Sequence, residues 1–87
     1  MAHVRIYTTS TCGYCVGAKQ LLRRKGVPFE EIDVGGDWEK RRWLAEITGR
    51  RTVPQVFIDH KPYGGYTDLA ELDRQGRLDR LLGLDAA

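Results

Sequence analysis

Apolar and polar residues alternate along Val4-Arg5-Ile6-Tyr7-Thr8, with β-branched and aromatic side chains prominent. A period of two with this content predicts a strand. From about Gly13 to Lys25 the rhythm changes, and Val16, Ala18, Leu21 and Leu22 fall among basic residues at helical intervals. Gly26 followed by Val27-Pro28 ends that helix. Phe29-Glu30-Glu31-Ile32-Asp33-Val34 reads as a second strand closed by Gly35-Gly36. A second helix is predicted from Asp37 to Thr48, with Trp38, Leu44 and Ile47 as inner residues and Gly49 as its stop. Val56-Phe57-Ile58 is wholly apolar, which suits a central strand covered on both faces. Asp59-His60-Lys61 then turns the chain into a short strand near Pro62-Tyr63.

After Gly64-Gly65, Thr67 or Asp68 is expected to cap a helix running to about Gln75, where Gly76 breaks it. A final short helix covers Arg77 to Leu82. The order is βαβαββα with an extra helical turn. Two parallel strands joined by a crossover and followed by a hairpin make an α/β fold: a four-stranded mixed sheet with helices on both faces. The 87 residues have room for one core, so a single domain over residues 1–87 is expected.

Composition narrows the class. Hydrophobic residues make up 41% and charged residues 30%, the balance of a globular chain rather than a disordered or membrane one. No apolar run approaches the roughly 18 residues of a spanning helix, and Met1 to Arg5 lack the basic start of a signal peptide. The expectation is a cytoplasmic protein with no membrane partner. A net charge of +2 is too mild to argue for nucleic acid, yet it is compatible with anionic small ligands.

The chemistry concentrates in Ser10-Thr11-Cys12-Gly13-Tyr14-Cys15, which holds the only two cysteines. With Cys12 at the N-cap of the first helix, its sulfur can accept from the N–H of Tyr14 or Cys15. Free N–H groups and the positive helix end favour negative charge on that sulfur. Cys15 lies about one turn on, within reach of a disulfide formed at Cys12. Rival readings are weaker. A structural disulfide closing four residues adds only about 2 kcal/mol and has to survive a reducing cytosol. A zinc site needs two more ligands, and the only histidines, His3 and His60, are expected to be solvated imidazoles. A pair of buried thiols is the third.

Three other segments carry candidate chemistry. Pro54 belongs at the start of its strand, where a cis bond fits. Before it, an extended Val53 with an unpaired main chain could form a short ladder with a peptide-like ligand; alternatively Pro54 merely opens the strand. The helix start after Gly64-Gly65 suits a carboxylate, and Asp68 suits an ammonium, together an amino-acid head group. The plain alternative is ordinary capping, with Asp68 and Glu71 as a box. Glu39-Lys40-Arg41-Arg42-Trp43 and Arg50-Arg51 are either solvated cations or, facing Cys12, partners for an anionic thiol ligand.

Taken together, C-G-Y-C after a strand, T-V-P-Q-V-F-I-D and G-G-Y-T-D-L resemble the dithiol glutaredoxin family over roughly Val4 to Leu82. The resemblance implies a thioredoxin-like fold with strand order 2-1-3-4 and a cis peptide before Pro54. It implies an enzyme for which glutathione is the reducing co-substrate, and whose partners are disulfide-bonded or glutathionylated proteins. Cys12 would then be the nucleophile and Cys15 the resolving thiol. Tyr14 would flank the thiol, and Thr52, Val53 and Pro54 would border the glutathione cysteinyl group. Thr67 and Asp68 would hold the γ-glutamyl head group, and Arg41 the glycyl carboxylate.

The chain departs from the family pattern at three positions. Thr9 stands where members often have lysine, Tyr66 where many have another cysteine, and Gly13 where C-P-Y-C has proline. In the family, small residues at the Gly13 position accompany members that bridge a [2Fe–2S] cluster between two chains through the first cysteine and glutathione. A cluster-bridged dimer is therefore the alternative to the expected monomer, with Cys12 its only ligand from this chain. Ile6-Tyr7-Thr8-Thr9-Ser10-Thr11-Cys12-Gly13-Tyr14-Cys15 is also similar to the opening of mycoredoxins, which use mycothiol. A flavoenzyme-coupled thioredoxin-like reductant is the remaining alternative. T-V-P-Q and G-G-Y-T-D favour glutathione.

Overall fold

The computed structural model describes residues 2–84. The chain runs through β1 (Val4–Thr8), α1 (Gly13–Arg24), β2 (Glu30–Asp33), α2 (Trp38–Thr48), β3 (Gln55–Ile58), β4 (Lys61–Pro62), α3 (Tyr66–Arg74) and α4 (Leu78–Leu81). The four strands form one sheet in the order β2-β1-β3-β4. β1 and β2 are parallel, in register from Arg5 opposite Glu30 to Thr8 opposite Asp33. β1 and β3 are antiparallel, as are β3 and β4. This is the α/β, thioredoxin-like arrangement expected. β2 is shorter than its apolar pattern because it is an edge strand, paired only where β1 lies beside it.

Alternate residues of β1 and β3 feed two cores on opposite faces of the sheet. Val4, Ile6, Val56 and Ile58 join Ala18, Leu21, Leu22, Leu69, Leu78 and Leu82 beneath α1, α3 and α4. Tyr7 and Phe57 join Val34 and Leu44 beneath α2. Each fully buried leucine contributes about 2 kcal/mol, so the larger core dominates cohesion.

The second helix differs from the sequence reading. Only Leu44 of α2 is buried, whereas Trp38 is 83% and Ile47 47% exposed. At about 100° per residue, Trp38 lies roughly 120° round the helix from Leu44 and Ile47 about 60°. The sheet beneath is already filled by Tyr7 and Phe57, with Trp43 stacked on Phe57. α2 therefore buries a strip one residue wide.

The β3–β4 turn puts Asp59 and His60 at φ of 50° and 70°, the twist that a two-residue hairpin requires. Asp59 tolerates it by tying back to the chain start, its Oδ1 accepting the His3 N–H at 3.0 Å. Both histidines are exposed. No helix among the described residues is long and apolar enough to cross a membrane.

Candidate active site

Cys12 is the N-cap of α1, extended at φ −103° and ψ 110°, and its Sγ accepts the Cys15 N–H at 3.1 Å. As a thiol it also donates to the Val53 carbonyl at 3.5 Å. Losing the proton removes the second bond and strengthens the first, because helix N–H groups are best matched to an anion. Both cysteines are free; Cys12 is half-buried, whereas Cys15 is 1% exposed. Burial, then a hydrogen bond with Cys12, pushes the Cys15 thiol up to about 11, against weaker help from the Thr9 backbone and Lys19. One thiol is thus presented and the other held protonated behind it. Tyr14, 64% exposed, flanks the opening with its ring 6.4 Å from that of Tyr66.

Across from Cys12 the Val53–Pro54 bond is cis. The β1–β3 ladder stops at Gln55, two residues short of Val53, which leaves the Val53 segment outside the sheet. Buried Gln55 steadies that segment, its Nε2 donating to the Thr52 carbonyl at 3.0 Å and to Thr52 Oγ1 at 3.3 Å. The start of α3 presses on the same turn: a Cβ on Gly65 would lie 3.1 Å from the Pro54 carbonyl oxygen.

Capping of α3 differs from the expectation. The N-cap is Gly65, not Thr67 or Asp68, and the box pairs the Gly65 N–H with the Asp68 carboxylate at 2.9 Å. Glu71 instead accepts from Arg74 and Gln75. A box joins N-cap to N3, so moving the cap to Gly65 makes Asp68 its acid. Gly64 has φ 91°, and any Cβ there would overlap the Asp68 carboxylate. Exposed Thr67 sits in the first turn, where N–H groups lack helical acceptors. The Arg50 guanidinium reaches Asp68 at 2.7 Å and holds its carboxyl below the ordinary range, opposed by burial and aided by the Gly65 N–H.

The Glutaredoxin family model matches residues 4–62. The chain belongs to the glutaredoxin family. It is 51% identical over 82 residues to Glutaredoxin 3 of Escherichia coli K12, covering 94% of this chain and 99% of that protein. It is 52% identical over 82 residues to a glutaredoxin of Pseudomonas aeruginosa, covering 94% and 98%. Among solved structures, glutaredoxin from Brucella melitensis superposes with a TM-score of 0.86 at 45% identity, covering 100% of this chain and 95% of that one. A buckwheat glutaredoxin–glutathione complex gives 0.87 at 30% identity, covering 94% and 77%. The protein is accordingly a thiol–disulfide oxidoreductase.

Within this glutaredoxin fold, Cys12 meets the Val53 carbonyl directly, and Gly65, close against Pro54, links that turn to Asp68. Arg41 stands further along, its Nη2 donating to the Arg51 carbonyl at 3.4 Å. The sequence offers Arg50 as a solvated cation or a partner for an anionic thiol ligand, not as the partner of Asp68 that the fold makes it. Its pairing with Asp68, 18 positions later, depends on the fold and leaves no local signal. Among the described residues, no three His, Cys, Asp or Glu side chains are grouped to hold a metal ion. One chain offers one accessible thiol, so a cluster site would be completed only by a second chain. Gly13 has open space around its Cβ position, so packing does not demand glycine there.

Proposed function

We propose that this chain is a glutathione-dependent oxidoreductase that reduces protein disulfides and protein–glutathione mixed disulfides, working as a monomer in a reducing cytoplasm. The observation that carries the reading is the contact between Cys12 Sγ and the carbonyl of Val53, a residue outside the sheet ladder. A thiol tripeptide joined to Cys12 would lie antiparallel to Val53, its cysteinyl amide exchanging main-chain hydrogen bonds there, with Thr52 and Pro54 bordering it. Its γ-glutamyl carboxylate would meet the free N–H of Thr67, and its ammonium the Asp68 carboxylate. Arg41 is the cation on the glycyl side, and Tyr14 covers the sulfur.

The chemistry follows from the two thiols. On a glutathionylated protein, the Cys12 thiolate attacks the glutathione sulfur; that S–S bond breaks, a Cys12–glutathione disulfide forms, and the protein thiolate leaves and takes a proton. A second glutathione thiolate attacks the bound glutathione sulfur, releasing glutathione disulfide and restoring Cys12.

On a protein disulfide, Cys12 first forms a mixed disulfide with the client. Cys15 then loses its proton and attacks Cys12 Sγ; the client–Cys12 S–S bond breaks, and the client thiolate leaves and takes a proton. Two glutathiones reduce the resulting Cys12–Cys15 disulfide, leaving as glutathione disulfide. Cys15 stays protonated until needed, because burial and the neighbouring Cys12 both hold its proton on. Once Cys12 is in a disulfide, the Cys12 contribution is gone.

The test is turnover of a glutathione mixed disulfide of a small thiol, coupled to glutathione reductase. Asp68→Ala is expected to raise KM about tenfold, on the order of 1.4 kcal/mol, with little change in kcat. Unchanged KM, or turnover that proceeds with mycothiol or a flavoenzyme but not glutathione, would contradict the reading.

A further inference from the structure

One face of α2 is unpartnered. Trp38, Arg41, Arg42 and Glu46 recur at helical spacing and, with Asp37 and Arg51, line an open groove of about 900 Å3. Leu44, the buried residue of α2, points away from it, about 200° round the helix from Arg42. Trp38 at 83% exposure offers water an indole that a partner could cover.

The groove leaves more cations than carboxylates unmatched: Arg41, Arg42 and Arg51 stand against Glu46, which makes no ion pair among the described residues. Among the described residues Arg42 and Arg51 make no ion pair, and Arg41 meets only the Arg51 carbonyl, whereas neighbouring Arg50 is paired with Asp68. Of the two carboxylates, Asp37 is committed to the helix start, accepting the Lys40 N–H at 3.0 Å.

Both ends of the groove adjoin the loops that frame the thiol. Arg51 leads into Thr52-Val53, whose carbonyl touches Cys12. Just before Gly36, which also lines the groove, a Cβ on Gly35 would lie 3.9 Å from the Thr9 Cβ, three residues ahead of Cys12.

We propose that this groove docks an acidic, extended segment of the client protein whose sulfur Cys12 attacks. Trp38 takes an apolar side chain of the segment, and Arg42 and Arg51 take its carboxylates as forked donors. A peptide can space its acids to avoid Asp37 and Glu46; a continuous line of phosphates cannot. The proposal rests on the thiol–disulfide activity and not on which low-molecular-weight thiol regenerates Cys12.

The test uses the full chain and a fluorescein-labelled, cysteine-free decapeptide of Glu and Asp with a central Leu, read by anisotropy at low salt. The acidic peptide is expected to bind about tenfold more tightly than its Gln/Asn counterpart, and to lose that margin in ~0.5 M salt. Trp38→Ala combined with Arg42→Glu should abolish the preference, while turnover of a small glutathione mixed disulfide stays within about twofold of wild type. KM for a glutathionylated acidic peptide should rise with the same substitutions.

Equal binding of the acidic and neutral peptides would overturn the proposal, as would wild-type affinity in the double variant. So would an equal loss on the small substrate, or binding of an oligonucleotide or anionic vesicles in place of the peptide. Dimerisation through this face, abolished by the double variant, would also count against it. If the small mixed disulfide is not turned over by wild type but the peptide preference holds, the glutathione reading fails and the groove stands.

Discussion

At the scale of single residues, the two cysteines are separated by burial rather than by sequence. Cys12 has a helix end and a carbonyl around its sulfur, and Cys15 has the core. Iodoacetamide at neutral pH should therefore label Cys12 alone. Peptide mass mapping checks this, and an adduct at Cys15 in the folded protein would contradict it. The place of Cys12 at a helix start was legible in C-x-x-C after a strand, because a helix N-cap is a local feature. The state of Asp68 was not, because its strongest partner, Arg50, arrives through the fold. That carboxyl is held below the ordinary range, so it stays charged as pH falls past the point where a free aspartate protonates. A carbon-detected NMR titration of Asp68 should move up in pH in Arg50→Gln. No movement would mean that the Gly65 N–H, not Arg50, sets the charge.

At the scale of elements, the loop before α3 is the most demanding joint. It must bring the first turn of α3 against the cis Val53–Pro54 turn and still aim Asp68 outward. Gly64→Ala introduces a Cβ at φ 91° into the space of the Asp68 carboxylate. It is expected to cost about 2 kcal/mol in urea unfolding and to raise KM for the glutathione mixed disulfide. Loss of stability without any change in KM would detach this loop from binding. The strands and helices were readable from periodicity, and the apolar run at Val56 correctly signalled a strand covered on both faces. The burial of α2 was misread because Trp38 and Ile47 are apolar by type, while the sheet beneath has room only for Leu44. Sequence pattern reports what a side chain prefers, not whether the opposite surface is already filled.

At the scale of the whole molecule, the buried thiol of Cys15 links ionisation to stability. Cys15 in the folded chain holds its proton up to about 11, whereas an unfolded cysteine releases it near 8.5. Between those values the unfolded state binds fewer protons, so stability falls as pH rises through that window. Cys15→Ala should have a lower urea midpoint at pH 7 but a smaller further drop between pH 8 and pH 10 than wild type. Parallel losses in both proteins would place the alkaline sensitivity elsewhere. The central claim is that Cys12 carries glutathione in turn with its substrate and that Cys15 is needed only for dithiol clients. It is tested most directly by glutathione-coupled turnover of a glutathionylated protein by wild type, Cys12→Ser and Cys15→Ser, with intact mass read at steady state. The account predicts no turnover without Cys12, and retained turnover with a single glutathione adduct on Cys12 in Cys15→Ser. Turnover surviving in Cys12→Ser, or no adduct in a turning-over Cys15→Ser, would contradict it.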